Sequence, residues 1–154
     1  MANFQFNIAK GQIKTLFNNV DTNSPTDSAI IVVPIEASGV EADDVLNNYD
    51  DLAALLAAAN NEQSTMGRKT LVDTDVSLTL DDTANTLAIF MSTTITWAAA
   101  TGNAISDILF CYDPDTAAGT DTTVIPLLCY DLSATPSGLD IVVNDHASGL
   151  IVVS

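Results

Sequence analysis

Carboxylate-rich turns are the first places in this sequence where chemistry could occur. The acidic groups are Asp73 with Asp75, Asp81 with Asp82, and Asp113 with Asp115 and Asp121. An EF-hand loop that binds Ca²⁺ needs oxygen ligands at positions 1, 3 and 5, Gly at 6 and Glu at 12. Counted from Asp113, the fifth and sixth positions are Ala117 and Ala118, and the twelfth is Val124. The EF-hand is excluded. The carboxylates are interpreted as solvated turn residues, with an irregular two-loop Ca²⁺ site as the alternative.

Nucleophilic catalysis has few candidate residues. His146 is the single histidine and lies in the turn-like stretch Asn144-Asp145-His146-Ala147, and no G-x-S-x-G elbow supplies a serine. Asp73-Thr74-Asp75 lacks the Asp-Thr-Gly form of an aspartic dyad, and no metal, dinucleotide or phosphate-loop motif is present. The sequence therefore predicts no enzyme, and no catalytic, metal-binding or cofactor-binding residues.

The two cysteines lie in two similar segments, Leu109-Phe110-Cys111-Tyr112-Asp113 and Leu128-Cys129-Tyr130-Asp131. A hairpin around residues 115–121 would place Cys111 opposite about Val124. Cys129 would then lie too far from Cys111 for a disulfide, which requires Cα atoms within about 7 Å. Both thiols are predicted to be buried as small hydrophobic groups.

Regular patterns in the first half predict the elements that would position these residues. The apolar spacing of residues 13–20 predicts a helix. Residues 29–35 are apolar and mostly β-branched, which predicts a strand covered on both faces. Pro34 predicts an edge or a bulge near the end of this strand. Residues 50–60 form the strongest helix, capped by Asp50. Ser38 and Glu41 have the spacing of a capping box. Residues 61–69 are polar and predict an exposed loop.

Successive strands separated by turn residues dominate the second half. The predicted strands are residues 76–80, 87–91, 93–98, 105–112, 122–130, 141–143 and 150–153. Their spacing predicts a mainly β, α+β fold, an antiparallel β-sandwich or small barrel with one or two short helices. The composition does not change sharply, so residues 1–154 are predicted to form a single domain.

The net charge of the chain limits the classes of partner that it can bind. The chain has 20 acidic and 4 basic side chains, a formal net charge of −16, and 47% apolar residues. Nucleic acid and anionic membranes are excluded as partners because both attract a basic face. A charge-free window, residues 83–106, is long enough to span a bilayer, but threonine and asparagine interrupt it, so no membrane helix is predicted.

The opening residues predict an extended arm. Phe4, Phe6 and Ile8 alternate with polar residues, which places them on one face of a strand. Such an apolar arm, residues 1–8, could dock on a partner by adding to a sheet edge. The alternative is that it pairs within its own domain.

The opening Met1-Ala2-Asn3-Phe4-Gln5-Phe6-Asn7-Ile8-Ala9-Lys10-Gly11 resembles that of a group of small structural proteins of tailed bacteriophages. Further matches, in order along the chain, are Ala37-Ser38-Gly39, Glu41-Ala42-Asp43, Tyr49-Asp50, Leu52-Ala53-Ala54-Leu55-Leu56-Ala57, Asn61-Glu62, Arg68-Lys69, Leu71, Asp73, Cys111-Tyr112-Asp113, Ala118-Gly119-Thr120-Asp121 and Ile125-Pro126-Leu127. Residues 131–154 match it least.

The resemblance implies a virion structural protein, assembled in the host cytoplasm. Because a charge of −16 is unfavourable beside packaged DNA, the expected place is the outer capsid surface. We expect a capsid decoration (cement) protein that binds the major capsid protein and itself, as a homotrimer where capsomers meet. The alternatives are a neck or tail component of the virion and an acidic Ca²⁺-dependent binding module.

Overall fold

A computed structural model of the chain describes residues 2–81, 86–144 and 150–153. Its largest sheet has five strands in the spatial order β1-β8-β7-β2-β3. The bounds are β1 (Phe4–Gln5), β2 (Ala29–Glu36), β3 (Lys69–Leu71), β7 (Ile105–Asp113) and β8 (Ile125–Ala134). Each neighbouring pair in this sheet is antiparallel.

The centre of this sheet is the β2–β7 pair. Every residue from Ala29 to Ile35 is buried, as the doubly apolar pattern of the strand predicts. Pro34 pairs with Ile108 on β7, while β3 on the other side covers only Ile30 to Val32, and the register shifts after Ile35. Because proline has no N–H to donate, it lies beyond the end of the β3 ladder and beside a bulge. The prediction for Pro34 is confirmed.

Two smaller antiparallel sheets and three short α-helices complete the described part of the chain. One sheet has the order β10-β5-β4 and the other pairs β6 with β9. Their bounds are β4 (Val76–Asp81), β5 (Thr86–Met91), β6 (Ile95–Trp97), β9 (Ile141–Val143) and β10 (Ile151–Val153); the helices are α1 (Ile13–Asp21), α2 (Asp43–Leu46) and α3 (Leu52–Ala57). Helix α1 contacts both β2 and β4, and its apolar face is buried, so it links two of the sheets.

Two predicted helix starts are wrong in detail. Helix α3 is capped by Asp51, whose Oδ1 accepts from the N–H of Ala54 at 2.7 Å, and not by Asp50. No helix begins directly after Ser38: the Glu41 carboxylate instead accepts from the hydroxyl of Tyr49 and the side-chain amide of Asn60, both at 2.7 Å. A capping box requires a helical first turn, but residues 37–39 form bends, Gly39 has a positive φ of 90°, and the next helix begins only at Asp43.

The β7–β8 hairpin is longer at its tip than predicted. Cys111 lies opposite Pro126 and not Val124, and a bulge follows Phe110. Residues 122–124 belong to a turn, in which the N–H of Thr123 donates to the carbonyl of Thr120, so β8 begins only at Ile125. Cys129 lies opposite Leu109, and both cysteines are buried and free, as predicted.

The predicted fold class, mainly β and α+β with antiparallel sheets and short helices, is confirmed. None of the helices within the described ranges is long and apolar enough to cross a membrane. The predictions that concern Asp82 and His146 lie outside the described residues.

Candidate interaction surface

The predicted arm forms an outer strand of the five-stranded sheet; residues 2–9 are here called the N-terminal strap. Phe4 and Gln5 pair with Cys129 and Leu128 of β8. The N–H of Phe6 continues the ladder to the carbonyl of Leu127 at 3.0 Å. A 3₁₀ turn over Asn7–Ala9 then ends the period-two pattern, so Ile8 does not extend the strand.

The apolar side chains of the strap pack against their own domain. Phe6 is 0% exposed, while Phe4 and Ile8 are half-buried against the core. The Phe4 and Phe6 rings lie 5.2 Å apart between centroids at an interplanar angle of 57°, the tilted arrangement that aromatic pairs favour. Of the two alternatives for the arm, the structure has pairing within the same chain, and Phe6 is not available to a partner.

Polar contacts that no local sequence pattern predicts hold the strap at both ends. The contacts are Ala2 N–H to Asp43 Oδ2 (3.0 Å), Asp131 N–H to Asn3 Oδ1 (2.9 Å), Asn7 N–H to the Asn47 carbonyl (2.9 Å) and Asn7 Nδ2 to Asn48 Oδ1 (2.7 Å). Their partners lie at least 40 residues away along the chain. The only sequence signal was asparagine at the polar positions of an alternating strand.

The carboxylates of the acidic turns accept local backbone hydrogen bonds. Asp113 Oδ1 accepts from the N–H of Asp115 at 3.0 Å, and Asp115 Oδ1 accepts from Ala117 at 3.0 Å and Ala118 at 3.1 Å. These are Asx-type contacts that stabilise turns. Within residues 2–81, 86–144 and 150–153, no group of three potential ligand side chains could hold a metal ion.

Asp73 and Asp75 make the same kind of contact in a 3₁₀ turn before β4. Asp73 Oδ1 accepts from the N–H of Thr74 at 2.8 Å, and Asp75 Oδ2 accepts from Val72 at 3.0 Å. Asp75 also lines a cleft of about 250 Å³ beside the outer edge of β3. The cleft is lined by Lys69, Thr70, Leu71, Asp75, Thr93, Thr94, Ile95 and Thr96. Its hydroxyl groups and two opposite charges are suited to hydrogen bonding with a small polar group.

Arg68 joins two loops that are far apart in sequence. Its guanidinium donates to both carboxylate oxygens of Glu62, at 2.9 and 2.7 Å, and to both of Asp121, at 2.6 and 2.8 Å. Hydrogen bonds from Arg68 hold the pKa of the Asp121 carboxyl below its usual range. Hydrogen bonds to Asp121 and Glu62 in turn raise the pKa of Arg68 above its usual value. Residues 61–69 are therefore not simply an exposed loop, and Gln63 within them is 1% exposed.

A buried carboxylate lies in the centre of the large sheet. Asp107 on β7 is 0% exposed; its Oδ2 accepts from the hydroxyl of Ser106 at 2.6 Å and its Oδ1 from the thiol of Cys129 at 3.5 Å. Burial raises the pKa of the Asp107 carboxyl above its ordinary value of 3.8. The two hydrogen bonds oppose that shift, and Asp131, directly opposite on β8, adds to it.

Asp107→Asn is expected to remove a pH-dependent part of the stability. Because the folded-state pKa is raised, the wild-type free energy of unfolding loses this contribution as the pH rises from about 4 through the folded-state pKa. Asparagine has the same shape and does not ionise. The free energies of unfolding of variant and wild type should therefore be nearly equal at about pH 3. As the pH rises from about 4 through the folded-state pKa of Asp107, the variant should become the more stable of the two, and the difference should level off at higher pH. Urea unfolding at a series of pH values measures this difference.

The control for the loss of one negative charge is Asp21→Asn, at an exposed position at the end of α1. A difference curve for Asp107→Asn that does not change with pH would show that the carboxylate is not desolvated.

Negative charge dominates the described surface. Seven acidic residues in the described ranges are exposed: Asp21, Asp27, Asp44, Asp50, Asp73, Asp131 and Asp140. Of the four basic residues, Lys10 and Lys14 are exposed and Arg68 and Lys69 are partly buried. The Lys69 ammonium lies 6.0 Å from the centroid of the Trp97 ring. The surface that a partner meets is therefore strongly anionic.

No protein family, curated protein or solved structure matches this chain.

Proposed function

We propose that this protein is a structural component of a tailed-phage virion, a capsid decoration protein that binds the major capsid protein on the outside of the head. Three copies would gather at each point where capsomers meet. The observation that carries this proposal is the net charge of −16, spread over exposed carboxylates, in a chain whose opening resembles small phage structural proteins. Assembly would take place in the host cytoplasm, with no nucleic acid or membrane as partner.

The anionic surface supports an outward position. DNA carries one negative charge per about 1.7 Å of helix axis, so a strongly acidic protein inside the head would be repelled by the packaged genome. On the outer face the same charge keeps the free protein soluble and separates copies that are not bound to the lattice.

The mechanism is stabilisation by binding. A protein that binds the assembled lattice and not its dissociated subunits stabilises the lattice by RT ln(1 + [L]/Kd), which is about 2.7 kcal/mol at a concentration of 100 times Kd. No bond is made or broken. Contacts that cross a boundary between capsid subunits must be broken before those subunits separate.

The experiment is to purify the virions and count the copies of this protein on a stained gel against the major capsid protein. Copy numbers in the hundreds are expected for a decoration protein. About six or twelve copies, as in a symmetric ring, would instead indicate a neck or tail component. Absence from the particles would overturn both structural roles. Heat on titration with millimolar Ca²⁺ would then favour the binding module.

The functional test uses particles that lack this protein. Heads assembled without it should lose DNA at a lower temperature than complete heads, and adding the purified protein back should restore the difference. Add-back that binds the heads without raising that temperature would contradict the proposed cement role.

A further inference from the structure

The polar cleft beside β3 lies between three segments that are held together by hydrogen bonds. Its walls are β3, the 3₁₀ turn that contains Asp75, and residues 93–96, which lead into β6. The N–H of Ser92 donates to the Asp75 carbonyl at 2.7 Å, and Trp97 Nε1 donates to the Gly67 carbonyl at 2.8 Å. The cleft is therefore already formed in the free chain, as small-molecule sites usually are.

The lining of the cleft carries one positive and one negative group, and neighbouring residues hold both in place. The Lys69 ammonium lies 6.0 Å from the centroid of the Trp97 ring, within reach of a cation–π contact. The Asp75 Oδ2 accepts from the N–H of Val72 at 3.0 Å, which leaves Oδ1 for another donor. Because the two charges are opposite, the lining has no net charge, and the chain's charge of −16 repels anions.

Four of the eight lining residues are threonines, at positions 70, 93, 94 and 96. The Thr94 hydroxyl donates to Asn144 Oδ1 at 3.0 Å, whereas the other three hydroxyls make no hydrogen bond to the described part of the protein. Each hydroxyl can donate one hydrogen bond and accept others. A ligand that matches them must therefore carry several groups that both donate and accept.

The apolar part of the lining comes from Leu71 and Ile95, which are 3% and 2% exposed. Carbon-bound hydrogens of a ligand would contact these side chains, while its polar groups meet the threonines and the two charges. The volume of about 250 Å³ lies below the range of about 300–1,000 Å³ for sites that take drug-sized ligands. The cleft thus has room for one ring and not for a longer chain.

We propose that this cleft binds a single neutral hexopyranose ring. The hydroxyls of such a sugar each donate and accept, which matches the threonines, and its C–H face fits Leu71 and Ile95. The Asp75 carboxylate accepts from one sugar hydroxyl and the Lys69 ammonium donates to another, and these charge-assisted hydrogen bonds fix the orientation of the ring. A zwitterion such as a free amino acid would use the two charges and leave the free threonine hydroxyls unmatched.

The first test is a titration of the purified chain with glucose, galactose, mannose and N-acetylglucosamine, followed by two-dimensional NMR of the backbone amides. At least one sugar should shift the amides of residues 70 and 93–96 saturably, with a Kd of about 1–10 mM, the weak range expected of a small ligand. The methyl glycoside of that sugar shows whether the end of a glycan binds as well as the free sugar. The test uses no phage particle, so its failure would leave the proposed function standing.

Two variants with matched controls place the sugar in the cleft. Lys69→Gln should weaken binding about 10-fold because a hydrogen bond from a charged donor is lost, whereas Lys14→Gln, at an exposed position on α1, should bind as the wild type does. Thr93→Val removes one hydroxyl at nearly constant volume and should weaken binding about 3-fold. Its control is Thr79→Val, at an exposed position on β4. The amide spectrum of each variant shows that it is folded.

Charge is tested with two further ligands. Glucuronate has a sugar ring that carries a carboxylate and should bind at least about 10-fold more weakly than the neutral sugar, since the chain repels anions. Glycine that shifts the same amides while none of the sugars does would identify a site for zwitterions and overturn the proposal. The absence of a saturable shift with all four sugars up to about 100 mM would also overturn it, as would binding that Lys69→Gln leaves unchanged.

Discussion

Phe6→Ala is expected to lower the free energy of unfolding by about 3–5 kcal/mol, the usual cost of removing a fully buried aromatic ring from a core. Phe6 is 0% exposed, and the backbone around it is held to β8 by the ladder from Phe4 to Leu127. The loss combines the apolar surface that is no longer buried with the cavity left behind. Chemical unfolding followed by the fluorescence of the single tryptophan, Trp97, measures the change.

Phe4→Ala is the matched control, because Phe4 lies on the same strap and is only half-buried. We expect a loss of about 1 kcal/mol, since much of that ring remains in contact with water in the folded chain. Equal and small losses for both variants would show that the strap is not packed on β8 in solution. The predicted loss also means that deleting residues 1–8 would test folding and not only docking.

Arg68→Ala is expected to cost about 1–3 kcal/mol of unfolding free energy. The substitution leaves the carboxylates of Glu62 and Asp121 facing each other without a cation. Removing one partner of a buried ion pair costs about 3–5 kcal/mol, and we lower that figure because the Arg68 side chain is 29% exposed and solvent screens the pair. The loop that contains Asp121 should loosen, with faster amide exchange at Ala53, which donates to the Asp121 carbonyl at 3.0 Å.

Two variants separate geometry from charge at this site. Arg68→Lys keeps the charge but lacks the planar fork, so we expect it to recover only part of the loss. Lys14→Ala removes the same charge from an exposed position on α1 and should change stability by less than about 0.5 kcal/mol. If Lys14→Ala were as destabilising as Arg68→Ala, the effect would come from net charge and not from this contact.

The described surface combines strong negative charge with two exposed apolar side chains. Seven exposed acidic residues in the described ranges repel other acidic surfaces, while Leu139 and Val142 are exposed apolar side chains. This combination is compatible with the structural role that we propose.

Local sequence patterns predicted the elements well where their signal was strong. The buried strand at residues 29–35 and the helix at 13–20 match β2 and α1 closely, because both have a clear apolar period. Local patterns do not determine the helix starts. Asp50 and Asp51 are adjacent residues of the same type, and Asp51 caps α3 because its backbone is extended immediately before the first turn.

The sequence did not predict contacts between segments that are far apart along the chain. Arg68, Glu62 and Asp121 read as ordinary charged loop residues, and their meeting depends on a turn that moves the start of β8 to Ile125. The same shift in the hairpin moved the partner of Cys111 by two residues. The length of the hairpin loop determines which residues of the two strands lie opposite each other. Local residue preferences do not predict that length.

By itself the sequence determined that this chain is acidic, mainly β and built from short antiparallel elements, because composition and periodicity depend only on neighbouring residues. Only the tertiary structure decided that the strap pairs with β8, that Asp107 is buried, and that β9 pairs with β6. These three features depend on which strands lie side by side, and that order is set by burying apolar faces drawn from the whole chain.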